Sequence, residues 1–395
     1  MNFDEPYYKL PRNFARSIGW WPYQSRLESF LIGIFIVLAF TLQVGPIITA
    51  IVVHFDDREL ILETIAPILT DAASLIVFVN SSINSKMLKK LYERIKADWK
   101  LVANRNEKLI LEKYVELGNL MAAGYAGFVY LATVTFISEP LVPIVINLML
   151  KTNLSAPHKL SVPMEWVVID REKYYWILIS YSGVCITVIL TVLTAYDVMF
   201  ITVVYHACGL FAVTGHRIQN LTNYENFENN AEKNIFLSSK KNHYEHLVSC
   251  IEIHRRALEY VDMIERTITG CFGIIVLLNL PLMSVTGVQM ITLDNTLQQK
   301  IKNLMFIMGQ VIHLFFECFL SQQLTDMSQQ IHTQITAQKW YNIDVKSQKL
   351  LIIMIMRCQT PCILTAGKIM GLSIETFGVM LKTSGSYFTM ILSMQ

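Results

Sequence analysis

The sequence predicts an all-α membrane protein with seven transmembrane helices, a cytoplasmic N-terminus, an extracellular C-terminus and an intracellular helical anchor region. Three observations predict it: a shortage of charge, seven apolar runs of spanning length, and Lys and Arg gathered into alternate connections. Of 395 residues, 53% are hydrophobic and only 16% charged, against about a quarter charged in a soluble domain. The net charge of +2 says little, because distribution matters more than the sum. No basic block with interleaved aromatics is present, so the expected surroundings are a lipid bilayer and not a nucleic acid.

A span needs about 20 apolar residues at 1.5 Å rise each. Residues 1–29 carry no apolar core of a cleavable signal and form a cytoplasmic N-terminal segment, leaving the first apolar run to act as a signal anchor. That run, between Glu28 and His54, has no charge. The second, 64–85, holds one acid, Asp71. The third, 117–138, is uncharged and continues apolar past Glu139 to Leu150. The fourth, 177–196, ends at Asp197; the fifth, 267–293, lies between Arg266 and Asp294; the sixth, 303–325, contains Glu317. Residues 30–325 therefore hold helices 1–6, with cytoplasmic helical extensions at 86–116 and 213–266. After a cytoplasmic connection at 326–360, a last run at about 369–394 is interrupted by Glu375 and Lys382.

Orientation follows from the basic residues, which collect in cytoplasmic loops. The N-terminal segment and residues 86–113, 213–266 and 326–360 hold 24 Lys and Arg, against seven in the alternate set. The N-terminus is therefore expected inside. The sequon Asn153-Leu154-Ser155 falls outside and is the expected glycosylation site, at Asn153; Asn220-Leu221-Thr222 falls inside and should stay bare. None of the seven cysteines falls in an external segment, so no disulfide framework is expected.

The cytoplasmic segments are not floppy. Leu247, Ile251, Leu258, Val261, Ile264 and Ile268 recur near the helical period, as in a packed helix. Packing between subunits and a monomeric hairpin both satisfy that pattern.

Reactive chemistry is sparse. His243 and His246 could share a metal on one helix face, but no third ligand is spaced nearby, and none is expected. Cys358 and Cys362 read as buried thiols. No HExxH, P-loop, GxSxG or dinucleotide fingerprint occurs, so neither an enzyme nor a cofactor is expected. His313 and Glu317, one turn apart, could form a pair inside the membrane, as a polar contact between helices or as part of gating.

Several spans carry aromatic and small residues in their outward halves: Tyr130, Thr133, Phe136 and Ile137 on the third, Ile179, Tyr181 and Val184 on the fourth, Leu280 and Met283 on the fifth, and Phe306 on the sixth. An apolar cavity with one or two hydroxyls would suit a small volatile or lipid-like ligand; helix–helix contacts or lipid would suit the same residues. Met390 and Met394 share a helix face. Around a symmetric oligomer they would form an apolar constriction that closes by dewetting; lipid-facing methionines are the default alternative.

The stretches Pro361-Cys362-Ile363-Leu364-Thr365-Ala366-Gly367-Lys368, Leu372-Ser373-Ile374-Glu375-Thr376-Phe377 and Leu381-Lys382-Thr383-Ser384-Gly385-Ser386-Tyr387-Phe388-Thr389 resemble the carboxyl-terminal signature of insect odorant receptors, closest to those of bees, ants and wasps. Ile253-His254-Arg255-Arg256-Ala257-Leu258-Glu259-Tyr260-Val261 resembles that family's approach to the fifth span. Gln334 and Thr336 depart from the alanine and tyrosine common before Trp340-Tyr341. The long insertion of the shared co-receptor is missing, as in a tuning receptor.

The resemblance implies that helix 7 has an intracellular part within 326–360 and a pore-lining membrane part at 361–395. It implies four subunits around one non-selective cation pore, the odorant receptor co-receptor as partner in a heterotetramer, and a gate at Tyr387, Met390 and Met394. It also implies a small volatile ligand between spans two and six, bringing in Ala73 and Val77, and a place in the plasma membrane of olfactory neuron dendrites. A gustatory receptor channel of the same fold is the nearest alternative. A metabotropic receptor would need an external N-terminus, and a transporter internal repeats.

Overall fold

In the computed structural model, which describes residues 3, 5–102, 104–150, 159–167, 169–221, 235–292 and 296–394, nearly all of the chain is helical. A short amphipathic helix, α1 (Pro6–Ser17), precedes α2 (Arg26–Val53) and α3 (Arg58–Ile83). Ser25 caps α2 by accepting the Glu28 amide, and Asp57 caps α3 by accepting the amides of Glu59 and Leu60, so two helix starts with unpaired N–H groups are satisfied by side chains. The helices continue as α4 (Ser85–Leu101), α5 (Arg105–Ser138), α6 (Val142–Leu150), α7 (Tyr175–Gln219), α8 (Ile235–Thr292), α9 (Leu297–Thr336), α10 (Val345–Cys358) and α11 (Ile374–Ser393).

Among the described residues, six helical segments are long and apolar enough to cross a bilayer: α2, α3, α5 with α6, α7, α8 and α9. On α2, Phe30, Leu31, Ile34, Phe35, Val37 and Leu38 are exposed. An apolar belt of that size suits lipid and not water. α7 has 45 residues and α8 has 58, or roughly 70 and 90 Å at 1.5 Å each. Both are far longer than a hydrocarbon layer of about 30 Å and must leave it.

α7 is the axis of the bundle. From Thr194 to Leu210 every residue is buried, the signature of a helix enclosed on all sides. Small residues allow close approach at two points on α5: a Cβ on Gly118 would lie 2.8 Å from Tyr205, and one on Gly209 would lie 2.6 Å from Leu111. At the end of the bundle formed by α4 and α10, buried charges are paired. Asp98 faces Arg256 at 2.7 Å and His206 at 3.3 Å. Arg217 grips Glu107 through two nitrogens, at 2.8 and 2.7 Å, and reaches Ser249. Burial of Leu247, Val261, Ile264 and Ile268 explains the helical period read from that stretch.

One boundary differs from the sequence reading and another agrees with it. The third span ends at Ser138, as its uncharged run does. A 3-10 turn then covers Glu139–Leu141, and α6 follows; Pro140 and Pro143 each remove an amide donor there. The last helix begins neither at 361 nor at 369. Thr365–Ala366 pairs antiparallel with Met370–Gly371, turning through Gly367 and Lys368 at φ +64° and +59°. Ser373 and Thr376 then form a capping box that starts α11.

Candidate functional site

At the end of the bundle opposite α4 and α10, the helices part around a cavity of about 220 Å³. Its walls come from α3, α5, α7, α8 and α9, with one residue, Gln43, from α2. A strap, Lys159–Pro163, lies over it. The strap is fastened by its backbone: the Glu165 amide donates to the Pro46 carbonyl at 3.0 Å, the Tyr175 hydroxyl to the Lys159 carbonyl at 3.1 Å, and the Lys302 ammonium to the Ser161 carbonyl at 3.4 Å. Lys302 also faces Glu139 at 3.6 Å and lies 5.4 Å from the centre of the Phe136 ring. Its charge is thus compensated at the rim.

The wall is mainly apolar, with Phe128, Phe136, Ile186, Leu190, Met305 and Phe306 among its members. A few polar groups interrupt it. Gln43 Oε1, Asn279 Oδ1, Asp71 Oδ2 and both amide atoms of Gln310 are buried without a hydrogen-bond partner among the described residues. Deeper, a network joins three helices. The Tyr125 hydroxyl of α5 donates to Asp197 of α7. His313 of α9 places Nδ1 3.1 Å from Asp197 and Nε2 3.5 Å from Glu317. Asp197, His313 and Glu317 are close enough to hold a metal ion. Each imidazole nitrogen already faces a carboxylate, however, so the ring serves as the shared counter-ion of two buried acids, which need one in a low-dielectric interior.

Of the residues expected to line a pocket, Ala73, Thr133, Phe136 and Phe306 do so. The rest have other work. Val77 is fully buried, and Met283 and Ile179 are packed in the interior. Ile137 packs against Gly183, and Leu280 packs, half-buried, against the main core. Tyr130 bonds to Thr191 at 3.0 Å and stacks on Phe14. Tyr181 donates to the Leu42 carbonyl, and Val184 is exposed. These corrections share a cause: aromatic and small residues mark helix contacts as readily as cavities, and helix rotation decides between them. Asp71, Gln43, Asn279 and Gln310 went unread as lining residues, although a polar residue inside an apolar run was a visible signal. Tyr387 is 48% exposed, Met390 51% and Met394 80%, so in the single chain this face of α11 is uncovered. Asn153 and the side chain of His243 lie outside the described residues; His246 approaches the Arg217 carbonyl at 3.0 Å. Cys358 is buried with its sulfur 3.8 Å from His254 Nε2.

A helical membrane protein with a mostly apolar internal cavity has room to receive a small hydrophobic molecule. The family described as 7tm Odorant receptor matches residues 57–385, and the chain belongs to it. Odorant receptor 22a of Drosophila melanogaster is 28% identical over 149 residues, which is 37% of each chain. Odorant receptor Or2 of Anopheles gambiae is 21% identical over 321 residues, 78% of each chain. The matched stretch thus spans little more than a third of one relative and over three quarters of the other. The fold is similar to that of the insect olfactory receptor OR5 from Machilis hrabei in complex with eugenol, with a TM-score of 0.80, 13% identity, and coverage of 98% of this chain and 97% of that one. A second structure of that Machilis hrabei receptor gives a TM-score of 0.74 at 13% identity.

Proposed function

We propose that this odorant receptor is the odour-binding subunit of a heteromeric, ligand-gated, non-selective cation channel in the plasma membrane. The observation that carries the reading is the strapped cavity. Its volume of about 220 Å³ exceeds the roughly 150 Å³ that accommodates benzene in an engineered protein cavity, so a monocyclic volatile fits. The similar fold of a receptor described in complex with eugenol supports the same size class.

In this reading α11 is the seventh span. Glu375, Lys382 and the Thr383–Ser386 stretch make it the least apolar of the set, as suits a helix facing water on one side. Its exposed Tyr387, Met390 and Met394 face the pore, and the two methionines close it by dewetting. The basic connections hold the N-terminus and the α4–α10 end in the cytoplasm, which leaves the strap and the end of α11 outside. Helices reaching beyond the membrane anchor four subunits, some of them the co-receptor. A ligand that fits the cavity better in the open arrangement shifts the gate by that difference in affinity.

The test is expression with and without the co-receptor, recording current under a broad panel of volatiles while an N-terminal epitope is probed on intact and permeabilised cells. Odour-evoked cation current that requires the co-receptor, with the epitope reached only after permeabilisation, is the expected result. A surface-resident complex that conducts to nothing in the panel, or an epitope reached on intact cells, overturns the reading.

A further inference from the structure

We propose that the cavity recognises a small organic amine, with the Asp71 carboxylate as the acceptor of its ammonium group; this deepens the reading of the cavity as a ligand site and rests on it. Asp71 lies on α3 in the cavity wall and is only 6% exposed. Its Oδ2 has no hydrogen-bond partner, and no Lys, Arg or His of the described residues forms an ion pair with it. An unpaired carboxylate inside a membrane is expensive. Every other deeply buried acid in the described part of the chain has been given a basic partner: Asp98 has Arg256, Glu107 has Arg217, Glu139 has Lys302, and Asp197 and Glu317 share His313. Among these deeply buried acids Asp71 alone faces the cavity in place of a cation; Glu63, also in the lining, is only half-buried.

The surroundings favour a positive guest. Lys302, one of the cations at the cavity, is held by Glu139 and the Ser161 carbonyl. At the deep end, Asp197 and Glu317 share the single imidazole of His313, so no basic side chain is left over there. Phe128 and Phe306 line the same cavity, and an aromatic ring attracts a cation placed over its face. An alcohol would offer Asp71 one hydrogen and no charge, whereas an ammonium both donates and neutralises. A bare metal ion would instead need several ligating groups drawn together, and among the described residues Asp71 belongs to no such cluster of carboxylates, imidazoles or thiols.

Benzylamine, benzyl alcohol and toluene share a ring, differ in one group, and fit the volume. The test measures binding of each by ligand-induced thermal stabilisation of the full-length protein purified in lipid nanodiscs at neutral pH, where benzylamine is a cation. Benzylamine is expected to bind more tightly than the two neutral probes. Asp71→Asn should weaken benzylamine about ten- to a hundred-fold, the worth of a charged hydrogen bond, and leave toluene unchanged. Asp71→Glu should keep much of the preference. If toluene binds but benzylamine gains nothing over it, or Asp71→Asn weakens all three alike, the amine assignment is overturned while the cavity reading stands. If none of the three binds, both fall.

Discussion

Tyr181 donates its hydroxyl to the backbone carbonyl of Leu42. The carbonyl is available because Pro46 sits four residues on and has no N–H to offer it. The sequence placed this tyrosine in the ligand cavity; the structure uses it to repair a helix. Tyr181→Phe is expected to cost about 1 kcal/mol of stability, the net worth of such a bond, with membrane measurements averaging somewhat less. Pro46→Ala returns the missing donor, so in that background Tyr181→Phe should cost about half as much or less. Thermal unfolding of the four proteins measures the coupling. An equal cost in both backgrounds would show that the hydroxyl does not serve the carbonyl.

Gly273 of α8 meets the hairpin before α11. A Cβ there would lie 2.7 Å from the Cα of Gly367 and 2.8 Å from its nitrogen, and backbone cannot swing aside as a side-chain tip can. The same hairpin is tied to α8 by the Gly367 amide on the Thr269 carbonyl at 2.7 Å and the Thr365 amide on Glu265 at 2.9 Å. Gly273→Ala should therefore loosen this attachment and lower stability by about 1–3 kcal/mol, as overpacking does. Gly270, one turn away, has nothing within 4 Å, and Gly270→Ala should be neutral or slightly stabilising. Surface yield and unfolding temperature of the two variants compare them directly; similar losses would refute the contact.

What was legible in the sequence depended on how far each signal reaches along the chain. Uncharged runs such as Glu28 to His54 mark the spanning helices because a bilayer filters composition over 20 residues at a time. Ser25, Asp57 and Ser373 cap helix starts, a signal confined to three residues that the reading by apolar runs did not use. The start of α11 was missed although Gly367-Lys368 and Ser373-x-x-Thr376 announced it; apolar flanks at Ile369 and Leu372 hid a turn inside a hydrophobic run. The cavity was legible in kind and not in detail. Phe136 and Ile137 are neighbours with the same chemistry, yet one lines the cavity and the other packs on Gly183. Rotation by one residue, about 100° on a helix, decides that, and it is set by partners far along the chain. Buried polar residues such as Asp71 and Gln310 were the better guide, since few reasons exist to place them there.

His313 is the residue whose loss the bundle should tolerate least. It stands between Asp197 at 3.1 Å and Glu317 at 3.5 Å, and Tyr125 brings a third helix to the same carboxylate. His313→Ala leaves two buried acids with no cation, and breaking a buried pair in this way costs about 3–5 kcal/mol. Replacing the acids as well should recover most of the loss, because an amide needs no counter-ion. The triple variant His313→Ala, Asp197→Asn, Glu317→Gln is therefore expected to unfold at a higher temperature than His313→Ala alone. Unfolding temperature and surface yield are the measurements, and the rescue keeps the test informative even where the single variant barely folds. If the triple variant is no better than the single one, the imidazole is acting by its shape and not by its charge.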